Sequence, residues 1–363
     1  MSQPQHPYEV AVYYFPQWHP DAKNEANKGE GWTEWPTLRA AKPLFPGHEQ
    51  PKVPLWGELD ESDPEVSAKQ IDAAADHGVT SFIYDWYWDM GGGDGPFLHR
   101  ALEDGFLQAP NRDRLRFGIM WANHNEVSRE RFDAMTDYLI IRYFKERNFL
   151  KLDGKLYFSI YECHTLIKGL GSIEATRDAL ESFRVKTREA GCGELHLNLV
   201  EWGLNERHRD IIGHPAELVR TLGIDSVTSY VWVHHAEPEA FPDAPYADCA
   251  REAAGMWPQF RDAYGVPYYP NATMGWDPGP RCDQDQPHVK GEYPYMSILT
   301  GNTPEAFETM LAEMKTYLDG QSGLATRMFT IYAWNEWTEG GYLEPDTVHG
   351  MKYLEAIRNV FGS

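Results

Sequence analysis

Eight short apolar runs alternate with helical spans along this chain, and that alternation restricts its fold more than any other feature. The runs fall at 9–15, 79–84, 115–120, 156–160, 195–200, 226–231, 266–269 and 328–332 of the 363 residues. Each shows little polar alternation, as expected of a strand covered on both faces. Pro267 stands at the start of the seventh run, a place that a strand tolerates. Between the runs lie helix signals. Asp63, Pro64 and Glu65 supply a cap, a first-turn proline and a first-turn acid, and Gly78 suits the far end. Thr303, Pro304 and Glu305 repeat the signal. After them Phe307, Met310, Leu311, Met314 and Leu318 recur at helical spacing up to Gly320. Further helices are expected at 129–146, 173–190, 215–222, 247–264 and 350–361.

Eight strands alternating with helices predict an α/β fold of the (β/α)8 TIM-barrel type, a single domain over residues 1–363 with extended βα loops. The rival, an open doubly wound sheet, calls for a G-x-G-x-x-G after the first strand, and none is there. The glycine run at 91–95 fits neither a dinucleotide nor a phosphate-loop pattern and reads as a loop. The stretch at about 17–62 is rich in Pro, Gly and Trp and too long for an ordinary βα loop, so it is expected to fold over the barrel top.

The balance of 33 basic against 55 acidic residues leaves a net charge of −22. Such a surface repels nucleic acid and anionic membrane, so neither is an expected partner. No run of about 18 apolar residues offers a membrane span. The segment at 1–7 has no basic region followed by an apolar one, so no signal peptide is expected and a cytoplasmic location is favoured. Cys163, Cys192, Cys249 and Cys282 are widely spaced with no CxxC, which predicts free thiols rather than a disulfide scaffold or zinc ribbon. His234 and His235 are adjacent, so in a strand they face opposite ways, and no HExxH accompanies them. No metal and no cofactor is expected. A serine hydrolase is disfavoured too, since the chain lacks G-x-S-x-G.

Barrel sites form at the C-terminal ends of strands. There the chain offers Tyr14, Gln17 and His19; Asp85, Trp86 and Tyr87; Trp121 and Asn123; Tyr161; Glu201; Tyr230 and Trp232; and Trp276. Flat rings interleaved with amides and acids suit a sugar, whose C–H faces pack on aromatics while its hydroxyls need fixed polar partners. A carbohydrate, as oligosaccharide or polysaccharide, is the expected partner. After the eighth run comes Trp334-Asn-Glu-Trp-Thr-Glu-Gly340, which places Glu336 and Glu339 three residues apart beside Asn335 and Trp337. Two carboxylates at a strand mouth are what glycosidic cleavage requires. Three residues span about 10 Å in a strand and roughly 5–6 Å in a tight turn. The spacing therefore permits either retention or inversion.

Further motifs are Tyr13-Tyr-Phe-Pro-Gln-Trp-His-Pro20, Gly31-Trp-Thr-Glu-Trp35, Lys42-Pro-Leu-Phe-Pro-Gly-His48, Trp121-Ala-Asn123 and Tyr342-Leu-Glu-Pro-Asp346. Together with the Trp334-to-Gly340 segment they resemble the WbsX-type proteins, relatives of the endo-α-mannosidases of glycoside hydrolase family 99. The resemblance runs from about residue 8 to about 355, and the first and last motifs are the most specific. It implies a barrel and a glycan-cleaving site acting on an α-linked neutral glycan with retention. It implies Glu336 as base, acting on the sugar's own 2-hydroxyl, and Glu339 as general acid, with Trp35 of the second motif at the substrate. The stretch 123–125 reads Asn-His-Asn where WbsX-type chains commonly carry Asn-Glu-Asn. A glycosyltransferase of polysaccharide synthesis and a non-catalytic carbohydrate-binding barrel are the alternatives.

Overall fold

A computed structural model of the chain describes residues 7–88, 95–322, 324 and 326–362. Its centre is built from β1 Tyr8–Tyr14, β2 Ser81–Trp88, β3 Arg116–Trp121, β4 Lys155–Ile160, β5 Leu195–Val200 and β6 Ser226–Thr228. β7 has two pieces, Tyr268–Tyr269 and Asn271–Thr273, and β8 is Arg327–Tyr332. All pair in parallel with their neighbours. Tyr268 aligns with Val227 of β6, while Ala272 aligns with Ile331 of β8. β1 aligns with β8 through Val10 and Phe329, so the sheet closes into an eight-stranded barrel. Pro270 divides β7 because it has no N–H to give the ladder. Its carbonyl still accepts from Thr330 N at 2.9 Å.

Three expected strands shift by two residues or more. The second run continues past Tyr84 to Trp88, so Asp85, Trp86 and Tyr87 lie within β2 rather than after it. The sixth stops at Thr228 instead of residue 231. The seventh starts after Pro267 and extends to Thr273. The register sets Ser159, Asn198 and Ser226 side by side across β4, β5 and β6. Ser159 Oγ donates to Asn198 Oδ1 at 2.7 Å, and Asn198 Nδ2 donates to Ser226 Oγ at 2.9 Å, so these buried polar groups satisfy one another.

The helices follow their caps. Asp63 accepts from Glu65 N at 2.9 Å and opens the helix Pro64–Asp76, beyond which Gly78 takes a φ of +89°. Thr303 accepts from Ala306 N at 3.3 Å and opens Pro304–Asp319. Phe307, Met310, Leu311, Met314 and Leu318 of that helix are all buried. Each such side chain removed from water contributes roughly 1.5–3 kcal/mol before entropy is counted. The other expected helices appear as Arg129–Arg142, Ile173–Glu189, Pro215–Thr221, Tyr246–Tyr264 and Lys352–Phe361.

The stretch at 17–62 carries the helices Ala22–Lys28 and Trp35–Ala40 and returns to the end of β8. Buried Glu61 ties it there. Its Oε1 accepts from Trp18 N at 2.7 Å and meets His19 Nδ1 at 2.8 Å, and its Oε2 accepts from Asn335 Nδ2 at 3.3 Å. Of the glycine run at 91–95, only Gly95 lies among the described residues.

Candidate active site

Beyond β8 the backbone makes a tight reversal. Asn335–Glu336 pairs antiparallel with Gly341–Tyr342, and one turn of 3-10 helix, Trp337–Glu339, joins them. Gly340 closes it with a φ of +69°, a conformation that L side chains rarely adopt. Glu336 and Glu339 thus stand at the two ends of a short turn, and both line a cavity of about 750 Å3.

Arg281, from the loop after β7, joins the two acids. Its Nη2 donates to Glu336 Oε1 at 2.7 Å, its Nη1 donates to Glu339 Oε1, and its Nε donates to Thr338 Oγ1 at 3.0 Å. Glu34 lies 3.6 Å from the same Nε, and the guanidinium sits 5.3 Å from the Phe15 ring centre. Glu339 also accepts from Tyr293 OH at 2.7 Å and from Tyr332 OH. Burial raises the pKa of Glu336 well above the usual carboxylate range; the Arg281 charge opposes that shift and the Glu339 charge adds to it.

Asp85 faces the same cavity from β2. Its Oδ2 accepts from Tyr230 OH at 2.6 Å. Burial raises its pKa, the Tyr230 hydroxyl opposes the shift, and Glu339 reinforces it. Glu162 also lines the cavity and is held down to about 2: burial works against ionisation, but His124, Thr165 and His164 outweigh it. Among the described residues no group of three or more His, Cys, Asp or Glu is placed to hold a metal ion, and no helix is long and apolar enough to cross a membrane.

The model of the WbsX glycosyltransferase family matches residues 10–142 and 126–357. The chain belongs to the WbsX family. Two curated relatives, both described as uncharacterized protein WxcX, come from Xanthomonas campestris pv. campestris strains B100 and ATCC 33913. Each is 27% identical over 372 residues, covering 97% of this chain and 49% of the relative. The chain therefore spans about half the length of those relatives. Among solved structures it is similar to the GH99 endo-α-mannosidase of Bacteroides thetaiotaomicron, with a TM-score of 0.56 and 16% identity over 98% of this chain and 96% of that one. A glycoside hydrolase-like protein gives a TM-score of 0.66 and 13% identity over 100% and 96%. The family 1 β-glucosidase of Thermotoga maritima gives 0.51 and 11% over 99% of both chains. These likenesses establish the barrel fold of this WbsX-family chain.

Of the residues expected at the site, Asp85, Tyr87, Tyr161, Tyr230, Trp276, Glu336 and Glu339 line the cavity. The others do not. Strand alternation sends Trp86 outward, where its Nε1 donates to Tyr143 OH at 3.2 Å, and packs Trp121 against Phe132. Tyr14 likewise turns to the helix Pro64–Asp76, donating to Gln70 Oε1 at 3.0 Å. Trp232 donates to Asn271 O at 2.9 Å, and Trp337 stacks on Tyr342 and donates to Glu344 Oε2 at 2.8 Å. Trp35 packs on Trp18, and Glu201 is buried beside His235. Gln17, His19, Asn123 and Asn335 are occupied in holding Glu34, Glu61, the Glu162 backbone and Phe15 N respectively. Residues not expected there also line the cavity, among them Arg281, Tyr293 and Phe15. Arg281 lies four residues beyond Asp277, in a Pro- and Gly-rich stretch with no periodicity to mark it.

Proposed function

We propose that this chain cleaves a glycosidic bond in an uncharged, α-linked glycan with retention, Glu336 acting as base and Glu339 as general acid. The observation that carries the reading is the single guanidinium of Arg281 bound to both carboxylates at the cavity wall. Two groups that share one planar fork lie close together, which suits the ~5–5.5 Å of retaining enzymes better than the ~6.5–9.5 Å of inverting ones. Burial disfavours the ionised form of Glu336, which a base acting on a substrate 2-hydroxyl needs, and the Arg281 charge is what opposes that shift. Proton delivery requires Glu339 to leave the guanidinium, take up a proton from solvent and donate it to the glycosidic oxygen.

Six carboxylates line the cavity (Asp85, Glu162, Glu237, Glu292, Glu336 and Glu339) against two guanidiniums, Arg207 and Arg281. Arg281 is paired with the acids, and Arg207 lies 3.8 Å from Glu237. Nothing among these lining residues carries spare positive charge for the diphosphate of a nucleotide sugar, which weighs against the transfer reaction in the family's name. The test is a screen of bacterial and plant polysaccharides with the product anomer followed by NMR. Glu339→Gln should abolish turnover and keep sugar binding, and Glu336→Gln should be comparably damaging. Full activity in Glu339→Gln, or nucleotide-sugar binding by calorimetry with no glycan hydrolysed, would sink the proposal.

A further inference from the structure

Three cavity-lining residues carry buried polar atoms with no partner among the described residues: Asp85 Oδ1, an acceptor in the ionised carboxylate, His234 Nδ1, and Trp276 Nε1, a donor. Leaving such groups unpaired costs roughly 1–3 kcal/mol each, so the cavity wall holds unspent hydrogen-bonding capacity of both kinds. A chain of rings connects Asp85 to Trp276. Tyr230 bonds Asp85, its ring packs 5.1 Å from that of Tyr332, and Tyr332 lies 6.0 Å from Trp276 and bonds Glu339.

We infer that Asp85 is a specificity-determining residue whose Oδ1 accepts a hydrogen bond from a hydroxyl of the sugar ring held against Glu336 and Glu339, with Trp276 Nε1 donating to a second ring oxygen. Sugar hydroxyls both donate and accept, so one ring can satisfy an unpaired acceptor and an unpaired donor. The excess of carboxylates excludes a ring that bears its own carboxylate or phosphate. This assignment rests on the carbohydrate reading above and names the feature of the sugar that the site selects.

The experiment measures binding instead of turnover, in the Glu339→Gln chain, so that failure of recognition and failure of hydrolysis are told apart. Saturation-transfer NMR and calorimetry are run at millimolar concentrations with the methyl α-glycosides of glucose, galactose, mannose, glucosamine and glucuronic acid. At least one neutral glycoside should bind and the glucuronide should not. Asp85→Ala should weaken the best binder roughly tenfold or more, and Asp85→Asn, which keeps an acceptor, should recover part of the loss. Trp276→Phe, which removes only the indole N–H donor and some ring area, should weaken it as well. Unchanged binding in Asp85→Ala, a glucuronide that binds as well as the glucoside, or no binding by any neutral member overturns the inference. Binding by the glucosaminide alone overturns the hydroxyl in favour of an ammonium donor.

Discussion

Arg281 Nη2 donates to Glu336 Oε1 across 2.7 Å, although 55 residues separate the two in the chain. The guanidinium is the counter-charge for a turn that otherwise holds two carboxylates side by side. Arg281→Met should therefore destabilise the chain by ~2–4 kcal/mol near neutral pH. The Arg281 charge opposes the upward shift of Glu336, so its removal raises that pKa further and the loss grows as the pH rises. Urea unfolding at pH 5 and pH 8 checks this; a variant as stable as the native chain at pH 8 would refute it.

Glu201 is another buried acid, and burial alone pushes it up to about 8. A folded-state pKa above the unfolded one means that the folded chain binds the extra proton between about 4.5 and 8. Its contribution is favourable below that window and is lost as the pH rises through it. Glu201→Gln removes the titration. The variant should gain stability relative to the native chain between pH 5 and pH 9, and thermal melts that stay parallel across that range would contradict the assignment.

Gly340 has a φ of +69°, and a Cβ there would stand 2.6 Å from Asp277 Cβ and 2.8 Å from Asp277 N. Gly171 has a φ of +96° with open space around it. Both Ala variants carry the strain of a left-handed residue, about 1 kcal/mol. Only Gly340→Ala adds the clash and should lose ~2 kcal/mol more. Equal melting temperatures for the two variants would show that the close approach is unimportant.

Asp277 ties the 17–62 stretch to the site. It accepts from His48 Nε2 at 2.9 Å, from Gln50 Nε2 at 2.6 Å and from Gly279 N at 3.0 Å. Its own N–H donates to Glu339 O at 2.6 Å. Asp277→Ala leaves those donors unpaired and should cost ~2–4 kcal/mol. Limited proteolysis should then cut within residues 42–52, and a variant as resistant as the native chain would rule out this anchoring role.

The barrel was legible because each strand is a continuous apolar run and because Asp63 and Thr303 announce their helices locally. The acid pair was legible for the same reason: Glu336 and Glu339 belong to one short segment. Which aromatics reach the cavity was not. Both faces of a barrel strand are buried, so hydropathy cannot tell inward Tyr87 from outward Trp86, and only the register decides.

By itself, then, the sequence determined the order of strands and helices and the two carboxylates after the eighth strand, since those depend on neighbours along the chain. The tertiary structure alone decided that Arg281 lies between them, that Tyr293 and Tyr332 bond Glu339, and that Asp85 Oδ1 is left without a partner among the described residues. Those facts depend on loops from different strands meeting at one end of the barrel, and no local pattern in a chain records which distant groups closure will bring together.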